Sequence, residues 1–191
     1  MMDVYAKKQG GVTMDDLQEL ILHICCAPCG GGCIGHPDLA PGRKITLVYS
    51  NSNLDSPEEF DKRLHEVKRL AEFYGLTLIV DPYDHEAWLQ AVSGLENEPE
   101  CGKRCRKCFE FNLKRTESIA NGKPFATTLT VSPRKSSAVI FETGSRFPNF
   151  EKVDFKKKNG YLTGRNFALE QGFYRQNYCG CEFSRRDAAA N

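Results

Sequence analysis

The chain has 191 residues, 26 Lys and Arg against 25 Asp and Glu, a net charge of +1, 40% apolar and 27% charged residues. These proportions exclude a disordered chain, a supercharged nucleic-acid coat and an acidic tail protein, and leave room for a local basic face. A chain of this length buries roughly 70% of its unfolded surface, so neither disulfides nor a metal is needed to hold its core.

Residues 1–13 are expected to form a flexible leader, since Lys7-Lys8 and Gly10-Gly11 are poor core material. They lack the apolar stretch of a secretory signal, and no run of about 18 apolar residues is present, so a cytoplasmic protein without a membrane span is expected. Leu20 to Ile24 reads as a first strand, stopped by Ala27-Pro28 and by the breaker run Gly30-Gly31-Gly32. Ile45 to Tyr49 is a second strand. Ser56-Pro57-Glu58-Glu59 is a capping box that starts a helix with Phe60, Leu64, Val67, Ala71 and Tyr74 on one face, closed by Gly75. Leu76 to Val80 predicts a third strand and Asp84 to Val92 a short helix with the single tryptophan, Trp88. A helix runs through Phe109, Leu113 and Ile119 to about Gly122. Phe125 to Val131 predicts a strand, Ser136 to Thr143 a helix, Glu151 to Phe155 a short strand, and Asn166 to Gln171 a helix ended by Gly172.

Strands alternating with helices predict an α/β three-layer sandwich with a mainly parallel, roughly five-stranded Rossmann-like sheet. A single domain over residues 14–186 is expected, with 187–191 a flexible tail. In such folds ligands bind beyond the carboxyl ends of the strands. Cys25 and Cys26 follow the first strand directly.

Nine cysteines are the outlier of the composition. The number is odd and a cytosolic setting keeps thiols reduced, so metal, cluster or redox chemistry is favoured over disulfide stapling. They fall into three sets: Cys25-Cys26-Ala27-Pro28-Cys29 with Cys33; Cys101 with Cys105-Arg106-Lys107-Cys108; and Cys179-Gly180-Cys181. Two separated thiolate pairs can supply four soft ligands, which suits structural zinc or an iron–sulfur cluster, and spacing alone leaves these two open. A disulfide across Cys179-Gly180-Cys181 would be strained and readily reduced, a redox switch more than a staple. Otherwise the pair is two ordinary thiols or two further ligands. Cys33 and Cys101 read as spectators.

Basic residues gather at Arg104, Arg106 and Lys107, at Lys156-Lys157-Lys158, and at Arg134, Lys135, Arg165, Arg175 and Arg185-Arg186. Together they permit a phosphate-binding face, although any single run is more often a solvated surface.

The sequence resembles the QueH-type epoxyqueuosine reductases. The resemblance runs from about Leu20 to Arg186. It is carried by Leu22-His23-Ile24-Cys25-Cys26-Ala27-Pro28-Cys29, by Gly94 to Glu100 leading into Arg104-Cys105-Arg106-Lys107-Cys108-Phe109, by Thr127 to Ser132, by Asp154 to Tyr161, and by Tyr174-Arg175-Gln176-Asn177-Tyr178-Cys179-Gly180-Cys181. It implies a nucleotide-hydrolase-like sheet topology and a reductase that removes the epoxide oxygen of epoxyqueuosine at the wobble position of tRNA with a GUN anticodon, the last step of queuosine biosynthesis, without cobalamin.

By the same resemblance, Cys25, Cys26, Cys105 and Cys108 would hold a [4Fe–4S] cluster, and Cys179 and Cys181 would form a redox-active pair. Cys29 falls where it could serve a second metal, iron or another. Tyr174, Tyr178, Asp154 and His23 are candidate proton donors, each with a plain alternative: Asp154 a turn cap, His23 a core histidine. Arg104, Lys107, Lys156, Lys157, Lys158 and Arg175 are candidate tRNA contacts, and the electron donor is open. The rival readings are a cluster-dependent tRNA thiolase, which would need a phosphate loop after the first strand, and a zinc-stabilised tRNA-binding module.

Overall fold

The structure, a computed structural model, describes residues 17–39 and 42–189. The expected leader over 1–13 and the final two residues of the expected tail lie outside that range. Four parallel strands, β1 (Glu19–His23), β2 (Lys44–Tyr49), β3 (Thr77–Val80) and β4 (Phe125–Thr127), form one sheet in the order β3-β2-β1-β4. The chain lays β2 and β3 to one side of β1, then crosses back to place β4 on the other. The order reverses between β1 and β4, so the crevice beyond their carboxyl ends is the switch point where such sheets take ligands.

The pleat sorts the side chains. Leu20, Leu22 and Ile24 join Leu47 and Tyr49 on one face, under α1 (Ala27–Cys33), α2 (Pro57–Tyr74) and α6 (Gly160–Glu170). Ile21, Val48 and Phe125 point to the other face and meet Leu113 and Ala120 of α4 (Lys103–Ala120). A short helix α3 (His85–Ala91) precedes α4, α5 (Ser137–Gly144) follows β4, and α7 (Glu182–Ala189) comes last. The three-layer α/β sandwich is therefore present.

The cap half of the box forms, the Ser56 hydroxyl accepting from the Glu59 amide at 3.2 Å, while the Glu59 carboxylate turns to Arg63 instead of the Ser56 amide; Gly75 closes α2 with φ of 63°. Four differences from the expected elements have physical causes. First, Gly30-Gly31-Gly32 lies inside α1 instead of breaking the chain. A Cβ on Gly32 would sit 2.3 Å from the Gly160 carbonyl oxygen, and one on Gly164 would sit 2.4 Å from the Pro28 carbonyl oxygen. The glycines let α1 and α6 pack backbone to backbone, and that contact outweighs their low helix propensity.

Second, β4 ends at Thr127, and Thr128–Val131 turns into a 3-10 helix because the Thr127 hydroxyl accepts from the Leu129 amide at 3.2 Å. Third, the sheet has four strands instead of five. The expected strand Glu151–Phe155 is reduced to one bridge just ahead of it, Phe125 to Phe150, with the Glu151 amide reaching the Phe125 carbonyl at 2.8 Å. Beyond it β4 has turned away, and the Val153 carbonyl accepts from the Thr130 hydroxyl instead. Fourth, α6 begins at Gly160, well before Asn166, and α7 forms where no helix was read.

Candidate metal centre

Cys25 and Cys26 leave the end of β1, and Cys26 is the N-cap of α1, whose first turn carries Cys29. Pro28 in that turn needs no amide partner, so the chain passes from strand to helix within a few residues. The Sγ atoms of Cys25, Cys26 and Cys29 lie within 4.8 Å of one another. The Thr128 hydroxyl accepts from the Cys25 amide at 3.2 Å, and the Asn51 side chain donates to the Ile24 carbonyl at 2.9 Å, fixing the strand end from both sides.

Behind the triad, His23 joins three strand ends. Its Nε2–H donates to the Ser50 carbonyl at 3.0 Å, leaving Nδ1 to accept from the Thr127 hydroxyl at 2.8 Å. Burial lowers its pKa to about 4, so it stays neutral. It is a core histidine, closed to solvent.

A cavity of about 510 Å³ opens on the triad. Its walls bring in Cys108 from α4, Cys179 from the segment before α7, Arg63 from α2, Lys135 from the loop before α5, and Tyr178. Cys105 stands in the first turn of α4 with Sγ accepting from the Cys101 amide at 3.2 Å, and packs with Cys25 against the Phe109, Leu129 and Ile140 cluster. Cys105 and Cys108 are outside the close triad. Cys181 turns inward beside Trp88 and Cys108, with Sγ accepting from the Ser184 amide at 3.4 Å. All nine cysteines are free thiols. Cys33 is sealed in the core, and Cys101 is exposed in a left-handed conformation with φ of 68°.

The electrostatics favour the thiolate at Cys26 and the protonated thiol at Cys25 and Cys29. Cys26 is held well below the ordinary thiol range, first by the Cys25 and Cys29 hydrogen bonds and further by Gln176 and the Arg63 charge. Cys25 is pushed up to about 12, chiefly by its bond to Cys26, and Cys29 is pushed well above the thiol range by its bonds to Cys25 and Cys26. Burial raises Cys105 and Cys108, and raises Cys181 to about 11.

Two cations answer them. Burial opposes the Lys135 charge, but Cys179, Cys25, Cys29 and Cys26 outweigh it and raise its pKa. Arg63, 3% exposed, donates from Nε to Glu59 at 2.6 Å and from Nη1 to the Cys179 carbonyl at 3.0 Å, while its buried Nη2 has no hydrogen-bond partner. An orphaned cationic donor among thiols fits a negatively charged, sulfur-ligated metal group. Gly180, with φ of 139°, brings the backbone against this guanidinium. A Cβ there would meet Leu54 at 2.5 Å and Arg63 Nη1 at 3.0 Å.

The remaining predicted residues are scattered. Asp154 is outside the cavity lining: its Oδ1 accepts from the Ser137 hydroxyl at 2.8 Å and the Lys156 amide at 3.3 Å, a turn cap. The Tyr174 hydroxyl is turned to Glu59, 3.3 Å from Oε2. Tyr178 does line the cavity, and its hydroxyl donates to Asp55 at 3.0 Å and accepts from Arg185 at 2.7 Å. Arg104 is 1% exposed, donates to the Glu96 and Glu98 carbonyls and lies over Phe183, so its charge faces the protein. Lys156 ties the Ser132 and Lys135 carbonyls, Lys158 pairs with Asp38, and Lys107 pairs with Glu110 at 3.1 Å. Lys157 is exposed, and Arg175 is exposed on the cavity wall.

Arg63 and Lys135 were not singled out as site residues by sequence. Arg63 had a signal: it falls on the apolar stripe of α2, between Phe60 and Val67, with Glu59 one turn before it. Lys135 had none, since its approach to the sulfurs depends on the Lys156 tether.

Fold and cavity define an α/β protein whose strand-end crevice at the switch point is lined with thiols able to hold a metal. The profile of one family, described as epoxyqueuosine reductase QueH, matches residues 20–187. The chain belongs to that family. A protein of Acinetobacter baylyi named epoxyqueuosine reductase QueH is 35% identical over 182 residues, covering 91% of this chain and 83% of its own. Proteins of the same name from Streptococcus pyogenes and Thermotoga maritima are each 33% identical, over 88% and 86% of this chain and 71% and 89% of theirs. Among the described residues no helix is long and apolar enough to cross a membrane.

Proposed function

We propose that this protein is a cobalamin-independent, cytoplasmic epoxyqueuosine reductase that acts on the wobble nucleoside of tRNA with a GUN anticodon. The observation that carries the reading is the convergence of Cys25, Cys26, Cys29, Cys108 and Cys179 on one crevice at the switch point, in a chain of this family. Cys25 and Cys26, with Cys105 and Cys108, would hold a [4Fe–4S] cluster, and Cys29 would face a second metal. When bound there, the iron–sulfur group supplies electron-transfer chemistry.

The reaction takes two electrons and two protons, converts the epoxide to an alkene and releases water. Oxidation of the Cys179–Cys181 dithiol to a disulfide yields that same count, and an external reductant would restore the thiols. The Arg63 and Lys135 cations place positive potential where the opening epoxide develops charge on oxygen. Tyr178, the tyrosine in hydrogen-bond contact with Asp55 on the cavity wall, is the group we assign to protonate that oxygen.

Two outcomes test this. Anaerobically reconstituted protein should show broad iron–sulfur absorption and reduce epoxyqueuosine tRNA. Cys105→Ala should lose both, and retained activity without iron–sulfur absorption would overturn the assignment. Cys181→Ser should keep the absorption and lose at least about a hundredfold in multiple-turnover rate. Full turnover by that variant would remove the dithiol from the scheme.

A further inference from the structure

Among the described residues, every arginine but three lies within ion-pair distance of a carboxylate. The exceptions are Arg134, Arg165 and Arg175. Two of them, Arg134 and Arg175, are exposed on the wall of the cysteine cavity, from loops on different parts of the chain. Tyr161, which is 47% exposed, lines the same cavity, and Arg165 lies one helical turn further along α6 on the same face.

We infer that Arg134, Arg165 and Arg175 are the phosphate contacts of a single-stranded RNA loop, and that Tyr161 is the ring on which a splayed base stacks at the cavity mouth. This inference rests on the proposed tRNA substrate and names the surface that receives it. A guanidinium already held by a carboxylate must give up that pair to bind phosphate, whereas a free one offers its two-pronged donor edge at once. An unpaired aromatic beside free arginines is the recurring platform for unstacked bases. Cys25, Cys26, Cys29, Cys108 and Cys179 line the cavity, so the target nucleoside must leave the loop stack to reach them, passing the ring at the entrance. The Lys156-Lys157-Lys158 run is a weaker candidate, because Lys156 binds main-chain carbonyls and Lys158 binds Asp38.

The test uses the reconstituted protein and an anticodon stem–loop RNA carrying epoxyqueuosine, with binding followed by anisotropy across a KCl series and reduction followed in a single turnover. The double variant Arg134→Ala/Arg175→Ala should bind roughly a hundredfold more weakly, with the slope of log affinity on log salt reduced by about two. Tyr161→Ala should weaken binding roughly tenfold while leaving the salt slope unchanged. Arg146→Ala, whose guanidinium is paired with Glu110 at 2.8 Å, should match the parent protein. Iron content equal to the parent's shows that each variant is folded. Parent-like affinity and salt slope in the double variant would overturn the inference. Failure of the parent protein to reduce the RNA would overturn the proposed reaction instead. Loss of stem–loop binding in the variants would still support this surface in that case.

Discussion

Gly32→Ala is expected to destabilise the protein by about 3 kcal/mol and to impair metal loading. The added methyl would lie 2.3 Å from the Gly160 carbonyl oxygen and 3.3 Å from the Gly164 Cα, both main-chain atoms that cannot rotate away. The helices must separate, and α1 cannot move without carrying Cys29 and the Cys26 cap with it. Gly31→Ala makes the internal comparison: its methyl meets the Phe167 ring at 2.5 Å, a side chain able to shift, so a smaller loss is expected. Urea denaturation of both variants, with iron content after reconstitution, checks the ranking. Equal midpoints for Gly32→Ala and the parent would show that the helix contact is looser than described.

Arg63→Met should cost about 3–5 kcal/mol, because it leaves Glu59, with its side chain 8% exposed, as a buried carboxylate without its cation. It also frees the Cys179 carbonyl and removes a positive charge that favours the Cys26 thiolate. Adding Glu59→Gln to it should recover much of the stability, since the stranded charge disappears. It should not recover the closed Cys179 segment, which alkylation of Cys179 in the metal-free protein would report as faster labelling. Arg63→Lys keeps the charge but has no fork to span Glu59 and the Cys179 carbonyl together, so it should fall between the parent and Arg63→Met. A single variant as stable and as slowly alkylated as the parent would show that the guanidinium does not hold this wall.

Local rules carried far along this chain. The Ser56 cap and the left-handed Gly75 bound α2 at both ends, and the apolar runs beginning at Leu20, Ile45 and Leu76 became strands within a residue of their reading. What could not be read was set by contacts distant in sequence. Gly30-Gly31-Gly32 is a breaker by propensity, and only the presence of Gly160 and Gly164 opposite makes it a helix. The run from Phe125 to Val131 is rich in strand-forming residues throughout, yet the Thr127 hydroxyl turns it at its middle.

The site divides in the same way. The three thiol sets announced themselves by spacing, and the structure brings the first into a close triad and lines one cavity with Cys108 and Cys179. The cations were only partly legible: Arg104 looks like a surface charge and is a buried brace, while Arg63, marked by its place on the apolar stripe of α2, faces the sulfurs.

The cavity walls come from the beginning, the middle and the late part of the chain: the turn after β1, the first turns of α4, and the 175–179 segment clamped by Arg63. A ribosome makes these pieces in that order, so Cys25, Cys26 and Cys29 wait through most of translation before their last neighbour exists. The nascent chain therefore has a half-built pocket open to water and oxidants, and a cofactor delivered early would find only part of its cradle. A metal therefore meets its complete cradle only once the Cys179 segment has docked against Arg63.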